Sequence, residues 1–397
     1  MSTRLSTNLT WAQPANKGLI RQINEARVLD VLRVNGPTAR ARIAQITGLS
    51  PATVTQITAQ LIEHARIREA DSVRSTRGRP AQLLELDRSH VRVIGIDISR
   101  DHLVAVAIDL TGEVVLRRRM TRRGTDSHAA VDDVTTLIGR VRKDVSSQEL
   151  VGVGIAVSGT VDPEQGSVVH SGLLGWDDVP LAPLVAERTG LPVKVERYVD
   201  SLASAITLFG DDSAQRILIV NVAPSIGVSI VLGGQIHRQR QGRSGPIAHT
   251  RIDLAHDSGT ACHCGRRGCI ETVASQWGVE QQLHAHGRDL SPADWAGSDD
   301  GAVTDTLATG GTILGRALAN IAKALDIERV VMAAPASMQG IFADHAEAAF
   351  DAEFDQPETV APWTVSTSDD TAAARGAACG VLGAMFYVDV NATQPRG

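Results

Sequence analysis

Cysteine and aromatic residues are scarce in this sequence, and no long apolar run crosses it. Only four cysteines occur among 397 residues, and aromatic side chains make up 3%. Three of the four lie within residues 262–269, which excludes a disulfide framework. The most apolar stretch, residues 217–234, is broken by polar residues and a proline, and the first residues lack a signal-peptide pattern. We therefore expect a cytoplasmic protein that neither spans nor binds a membrane.

Charge is divided unevenly along the chain. Residues 1–90 hold thirteen Lys or Arg and seven Asp or Glu, a net charge of +6, whereas the remainder carries −12. A basic module ahead of an acidic one makes nucleic acid the first partner to consider. A solvated basic helical face would give the same count of charges, so charge alone does not establish nucleic-acid binding.

The first ninety residues have the pattern of a helix-turn-helix. Apolar residues at helical spacing in 28–32 precede a stop at residues 35–37 (NGP). Thr38 is predicted to cap a second helix that turns Ile43 and Ile46 inward. The next glycine is predicted to end that helix.

A third helix is predicted to begin at Ser50, because serine is a favoured N-cap and Pro51 suits the first helical position. Apolar residues at 54, 57 and 61 form its buried stripe. Hydroxyls on the other faces can reach phosphates or base edges, and a glutamine can pair with adenine. The predicted DNA contacts on this helix are Ser50, Thr53, Thr55, Gln56 and Gln60. A three-helix interaction module with a polar surface is the alternative.

Residues 74–80 (RSTRGRP), followed by a strand-like segment at 82–86, predict a wing. Arg77 and Arg79 on such a tip suit the negative potential of a narrow minor groove. A basic linker that never touches DNA is the alternative. The sequence thus predicts a winged helix-turn-helix domain over residues 1–88.

A group of cysteines spaced by glycines predicts a metal site. Gly265 and Gly268 let the backbone turn tightly enough to direct three thiols at one ion. These thiols belong to Cys262, Cys264 and Cys269. Three thiolates and no open position favour a structural zinc. Either His263 within the motif or His249 upstream can supply the fourth ligand.

Beyond residue 87, strand patterns alternate with helical ones. Strands are predicted at residues 91–98, 102–110, 151–157, 193–195, 217–222, 228–232 and 329–332. Helices are predicted at residues 132–143, 181–188 and 311–324. This alternation predicts an α/β fold with a mostly parallel sheet covered by helices.

Five features, in this order, resemble the ROK family of sugar kinases and transcriptional repressors. They are Gly95-Ile-Asp97, residues 158–162 (SGTVD), Gly175-Trp176, residues 193–196 (VKVE), and His249 ahead of the cysteines. The resemblance covers residues 20–385, and the amino-terminal module is similar to the branch that includes the xylose and N-acetylglucosamine repressors.

The resemblance implies a two-lobed, actin-like ATPase fold. The first lobe is expected at residues 89–200 and the second at 201–397, with the C-terminal helix returning to the first lobe. It also implies a zinc ion held by a histidine and three cysteines, which are His249, Cys262, Cys264 and Cys269 at the matching positions.

The residues that the family's kinases use for catalysis are replaced. Tyr198 stands at the position of the catalytic aspartate, and a neutral tyrosine is a poor proton acceptor. The two phosphate turns, Asp-x-Gly-Gly-Thr and Gly-Thr-Gly-Ile-Gly in the kinases, are residues 97–101 (DISRD) and 223–227 (APSIG) here. Side chains and a proline therefore stand where backbone amides should approach ATP. We expect no ATP cofactor and no enzyme activity.

Sugar contacts implied by the family are also altered, since Leu173 and Pro246 replace polar residues and only His249 and Glu271 remain. Each lost partner of a buried hydroxyl costs about 1–3 kcal/mol, so a neutral hexose should bind poorly in the family pose.

Arg197 carries two hypotheses about the effector. Its guanidinium suits an anionic effector such as a sugar phosphate or sugar acid, bound together with the two retained family residues. In the alternative, Arg197 pairs with Glu196 or Asp200 and the pocket stays empty.

Together these features predict a zinc-stabilised regulator of carbohydrate-related genes that binds a double-stranded DNA operator, with repression implied by the resemblance. A homodimer, or a dimer of dimers, is expected because paired modules read paired half-sites. The alternatives are a sugar kinase with a DNA-binding head and a zinc-responsive regulator.

Overall fold

The computed structural model describes residues 17–70, 82–210, 214–238, 247–252, 260–356, 359–367 and 369–387. Within them, helices and strands form an amino-terminal module followed by two larger lobes. The bounds of these elements fix where the candidate sites lie.

The amino-terminal module consists of three helices and a small antiparallel sheet. Its elements are α1 (Lys17–Asn35), β1 (Thr38–Ala39), α2 (Arg40–Thr47), α3 (Pro51–Glu63), β2 (Ile67–Glu69) and β3 (Leu83–Leu86). Strand β3 lies between β1 and β2. This order of elements is consistent with the predicted helix-turn-helix. Residues 71–81 between β2 and β3, which include Arg77 and Arg79, lie outside the described residues.

Two expectations about α2 were wrong. Thr38 does not cap the helix, because it pairs with Leu84 in the small sheet, and the N-cap is Ala39 without a side-chain bond. Ile46 is 41% exposed, whereas Ile43 is buried. The buried face is centred between Ile43 and Ala44, and about 100° of rotation per residue places Ile46 about 110° from that centre.

The first lobe is built on a five-stranded sheet. Its elements are β4 (Val91–Ile98), β5 (His102–Ile108), β6 (Val114–Thr121), α4 (Ser127–Asp144), β7 (Glu149–Val157), β8 (Thr160–Asp162), β9 (Ser167–Ser171), β10 (Trp176–Val179), α5 (Leu181–Thr189) and β11 (Val193–Arg197). The main sheet has the order β6-β5-β4-β7-β11, and β8, β9 and β10 form a separate antiparallel sheet.

The second lobe repeats this plan. Its elements are α6 (Tyr198–Phe209), β12 (Arg216–Val222), β13 (Ile226–Leu232), β14 (Gln235–Ile236), α7 (Glu271–Ala274), α8 (Gln276–Ala285), α9 (Gly301–Leu325), β15 (Arg329–Ala334), α10 (Ile341–Asp351), β16 (Trp363–Thr367) and α11 (Ala372–Phe386). The sheet order is β14-β13-β12-β15-β16. In both lobes three antiparallel strands continue into two parallel ones.

Helices α6 and α11 pack against each other between the two sheets, with α6 on the sheet of the second lobe and α11 on the sheet of the first lobe. Helix α6 follows β11 of the first lobe but packs on β12 and β13, whereas α11 follows β16 and packs on β4 and β7. The packing is close: a Cβ atom on Gly376 would lie 2.0 Å from the Ser201 carbonyl oxygen. A side chain at Gly376 would therefore push the two helices apart.

The hydrophobic core of the amino-terminal module continues into the first lobe. Leu29 of α1 and Leu61 of α3 belong to the same buried cluster as Val93 of β4 and Leu382 of α11. The module is thus packed on the first lobe and on the last helix of the second lobe.

Candidate functional site

The predicted DNA-contacting residues are the N-cap of α3 and four residues outside its buried stripe. The Ser50 hydroxyl accepts from the Thr53 amide at 3.1 Å and so caps the helix. Thr55 and Gln56 are exposed, whereas Thr53 and Gln60 are half-buried. The apolar stripe at residues 54, 57 and 61 is buried against the module's core. The helix therefore presents hydroxyls and amides outward on a rigid support.

Four predicted metal ligands meet at one point. The ligand atoms of His249, Cys262, Cys264 and Cys269 all lie within 4.8 Å of one another. Two hairpin-like bridges, Arg251 to Cys269 and Ala261 to Arg267, hold the segments together. Gly265 adopts φ +83°, a left-handed conformation that reverses the chain between the thiols.

Two of the distances between ligand atoms match those of a tetrahedral zinc site. With bonds of about 2.3 Å to sulfur and about 2.0–2.1 Å to nitrogen, ligand atoms are separated by about 3.8 Å (S to S) and about 3.6 Å (S to N). The Sγ atoms of Cys264 and Cys269 are 3.7 Å apart, and Cys262 Sγ is 3.5 Å from His249 Nδ1. Burial lowers the pKa of His249, which favours the neutral imidazole that binds metals.

His263, the other candidate for the fourth ligand, is not part of this cluster. Its ring packs edge-to-face between His249 and Trp277, with centroids 5.4 and 5.1 Å away. Its Nε2 atom lies 3.8 Å from Glu271 Oε1.

Glu271, which the resemblance predicts to contact a sugar, is fully buried and binds residues 223–227, the second phosphate-turn segment. Its carboxylate accepts from the Ser225 hydroxyl at 2.6 Å and from the Ile226 amide at 3.0 Å. Burial raises its pKa. The amide of Ile226 is thus bonded within the protein, and Pro224 has none to offer.

The first phosphate-turn segment is also closed by its own contacts. The Ser99 amide donates to the His102 carbonyl at 3.0 Å. The Arg122 guanidinium donates to the carbonyls of Ser99 and Arg100 at 3.3 and 3.2 Å and lies over the Trp176 ring. Tyr198, predicted from the resemblance to replace the kinase base, is the first residue of helix α6.

Arg197 is engaged in an ion pair. It donates to Asp200 from Nε at 2.7 Å and from Nη2 at 2.6 Å, and the Asp200 carboxylate also accepts from Ser229 of β13. Of the two partners considered, Asp200 is the one that it contacts.

Glu196 forms a separate buried cluster. Its carboxylate lies 2.7 Å from both Lys194 Nζ and Arg238 Nη2, and Ser204 donates to it at 3.2 Å. Sequence reasoning missed Lys194, Arg238, Ser225 and Ser229. Except for Lys194, which pairs with Glu196 on the same strand, each of these side chains pairs with a residue on a different element, among β11, α6 and the cysteine segment. No local sequence pattern indicates such a pairing.

The two lobes have the same sheet order and are joined by α6 and α11, an arrangement that defines the actin-like ATPase class. Here they are preceded by a module of three helices and a small sheet. The chain belongs to the ROK family, because the model for that family matches residues 93–383. The expected family and fold class are confirmed.

Named relatives are transcriptional regulators. The chain is 30% identical over 277 residues to the DNA-binding transcriptional dual regulator NagC of Escherichia coli strain K12, covering 68% of this chain and 67% of NagC. It is 26% identical over 324 residues to the xylose repressor of Bacillus subtilis strain 168, covering 80% and 83%. A crystal structure of a ROK family transcriptional regulator, a homologue of the E. coli MLC protein, superposes with a TM-score of 0.79 at 25% identity, covering 92% and 97%.

Among the described residues, no helix combines the length and apolar character needed to cross a membrane.

Proposed function

We propose that this chain is a DNA-binding transcriptional repressor whose kinase-like lobes bind an effector without catalysis. The exposed polar side of α3 in a winged module carries the proposal, and the named repressors among its relatives support it. Double-stranded operator DNA is the partner, read by Ser50, Thr53, Thr55, Gln56 and Gln60 and by the wing residues Arg77 and Arg79. The protein would act in the cytoplasm, where the DNA is.

Selection from a random duplex library tests this function. We expect the chain to enrich a sequence composed of two half-sites, because paired modules read paired sites. Sedimentation should then show a homodimer or a dimer of dimers on that duplex. Failure to enrich any duplex would contradict DNA binding.

We propose that the lobes do not transfer phosphate. Tyr198 at the base position supports this, as do the two turns whose Ser99 and Ile226 amides are already bonded. A coupled assay with ATP and a panel of hexoses, xylose and N-acetylglucosamine tests it. Turnover with any sugar would instead support a kinase with a DNA-binding head.

We propose that the cluster at His249 holds a structural zinc. The three thiolates and one imidazole close the tetrahedron, so the ion would stabilise the fold rather than activate water. Chelation should unfold this part of the second lobe. Loss of DNA binding on chelation without unfolding would support a zinc-responsive regulator.

An effector of the sugar class is proposed to bind beside β13. Arg197 and Glu271 both reach this strand, at the Val228 carbonyl and the Ile226 amide, and His249 is proposed as the third contact. An anionic sugar could replace Asp200 as the partner of Arg197. Calorimetry with neutral sugars, sugar phosphates and sugar acids tests this. Absence of heat with all of them would support the empty pocket.

A further inference from the structure

Helices α6 and α11 cross between the lobes, and both end beneath the amino-terminal module. Because α6 lies on the sheet of the second lobe and α11 on the sheet of the first, a change in the angle between the lobes must move one helix relative to the other. The ends of these helices are therefore the place where such a change reaches the module.

Arg33, in the last turn of α1, contacts both ends at once. Its Nη1 atom donates to the carbonyl of Leu208 near the end of α6. Its guanidinium carbon lies 5.9 Å from the centroid of the Phe209 ring and 5.5 Å from that of Tyr387, which follows α11. These distances suit cation–π contacts.

The position of Arg33 is fixed from both sides. Asp30 on the same helix accepts from its Nε at 2.9 Å and from its Nη2 at 2.6 Å. The rings of Phe209 and Tyr387 stand edge-to-face, with centroids 6.4 Å apart. The Tyr387 hydroxyl donates to the Leu110 carbonyl at 2.6 Å. Movement of either helix end would thus act directly on α1.

The other end of α6 lies between β11 of the first lobe and β13 of the second. We call this place the cleft between the lobes. Asp200, in its first turn, receives hydrogen bonds from Arg197 and from Ser229 of the second lobe. The twelve residues of α6 span about 18 Å, so one rigid helix runs from this ion pair to Arg33.

Further contacts show that the amino-terminal module is packed on the lobes and is not held by a flexible linker alone. Arg66 pairs with Glu149 of the first lobe at 2.8 Å, and its guanidinium lies 5.3 Å from the centroid of the Phe386 ring at the end of α11. Together with the shared apolar core, these contacts fix the module on the same helix ends.

We propose that Arg33 couples the cleft between the lobes to the DNA-reading module. It does so by contacting the ends of α6 and α11 together. The coupling deepens the proposed repressor function and rests on it. Arg33 acts as a positioning residue, since it lies on α1 and transmits displacement rather than touching an effector.

A double-mutant cycle tests the coupling in the full chain. Ser229→Ala removes the hydrogen bond between Asp200 and the second lobe. Arg33→Met removes the contacts of Arg33 with the ends of α6 and α11. Two properties are measured: hydrogen exchange of peptides from residues 17–35, and affinity for a duplex that the wild-type chain selects from a random library. We expect Ser229→Ala to change exchange in α1 and to shift affinity by about fivefold or more, a usual range for coupled sites.

In the Arg33→Met background the same Ser229→Ala change should have a clearly smaller effect on both properties, because, of the contacts described above, only Arg66 and the shared apolar core still join the module to the helix ends. Equal effects in the two backgrounds, or no effect of Ser229→Ala on α1 in the wild type, would overturn the proposal. Arg21→Ala on the same helix, where Arg21 pairs with Glu25 at 2.9 Å in an exposed site, is the matched control and should leave the coupling intact.

Arg33→Lys separates coupling from folding. It keeps the positive charge and a donor for the Leu208 carbonyl, so it should preserve the response to Ser229→Ala at least in part, even if Arg33→Met unfolds. Loss of the response in a folded Arg33→Lys protein, which keeps the charge and a donor, would contradict coupling through these two contacts. If a folded Arg33→Lys protein responds to Ser229→Ala as the wild type does, the positive charge and the hydrogen bond at residue 33 suffice for the coupling. Failure to select any duplex contradicts DNA binding, and hydrogen exchange then decides the coupling alone.

Discussion

Arg197 and Asp200 form a two-point ion pair, with Nε to Oδ2 at 2.7 Å and Nη2 to Oδ1 at 2.6 Å. The same carboxylate accepts from Ser229 on the neighbouring lobe. An anionic ligand that uses Arg197 must therefore displace a carboxylate that is already satisfied. The cost of breaking this pair sets how strongly such a ligand has to bind.

Arg197→Met should lower the free energy of unfolding by about 2–4 kcal/mol, because it leaves the largely buried Asp200 carboxylate without its cation. Urea denaturation measures the loss. Arg188→Met, which breaks an exposed pair with Asp132, is the matched control and should cost less than about 1 kcal/mol. Equal losses in the two variants would mean that the cleft pair is solvated.

Asp97 should make stability depend on pH. Burial raises its pKa to about 6, opposed by a hydrogen bond from Ser99 and the charge of His102, while Asp370 adds to the rise. Between about pH 4 and pH 6 the folded protein holds a proton that the unfolded chain has released, so the free energy of unfolding falls as pH rises through this window.

The variant Asp97→Asn removes this titration. Relative to the wild type, the unfolding free energy of Asp97→Asn should increase by about 2.4 kcal/mol from pH 4 to pH 7. Urea unfolding at several pH values measures it. Parallel curves for the two proteins would contradict the raised pKa.

Cys262→Ser should reduce bound zinc well below one equivalent and destabilise the second lobe, because a hydroxyl replaces one of four ligands. Elemental analysis after gel filtration measures the metal. Cys379→Ser is the control, since Cys379 is buried in α11 outside the cluster and should leave the zinc content unchanged. Equal zinc in both variants would place the metal elsewhere.

Gln56→Ala should relax base preference at one position of the selected duplex, because a two-point contact with adenine discriminates by about 1–3 kcal/mol. Repeating the duplex selection with the variant shows it. Gln45→Ala on α2, whose side chain accepts from Arg42 at 2.7 Å, should leave the preference unchanged. If Gln56→Ala selects duplexes with the same base preferences as the wild type, Gln56 does not contact a base.

The double change Arg77→Ala with Arg79→Ala should weaken binding to all duplexes and flatten its salt dependence. Each lost phosphate contact lowers the slope of log affinity against log salt by about 0.9. Titrations at several salt concentrations measure it. Operator binding that survives unchanged would show that the segment is a linker.

The fold was predicted well where burial produces a clear pattern. The strand predicted at residues 91–98 coincides with β4, all of whose residues are buried. Strand β6 was missed because its residues are exposed or half-buried and include three consecutive arginines, so it lacks the alternation that marks a strand. Strands β8 to β10 and β16 are short and were also missed.

The metal cluster was predictable from local spacing except for its histidine. His263 and His249 fit the sequence equally well, and only the resemblance favoured His249, which the structure places with the thiols. The partners of Arg33 were not predictable, because Leu208 is 175 residues away along the chain. Pairings of this kind follow from how the lobes pack, and one sequence contains no pattern for them.

Helix α11 gives the chain a particular order of folding during synthesis. Leu382 and Tyr387 fill part of the core on which α1 and β4 pack. The amino-terminal module leaves the ribosome first, yet its apolar underside stays partly uncovered until this last helix has been made. A nonsense mutation that removes only α11 should therefore abolish the DNA-reading module, more than 280 residues upstream, as effectively as a mutation within it.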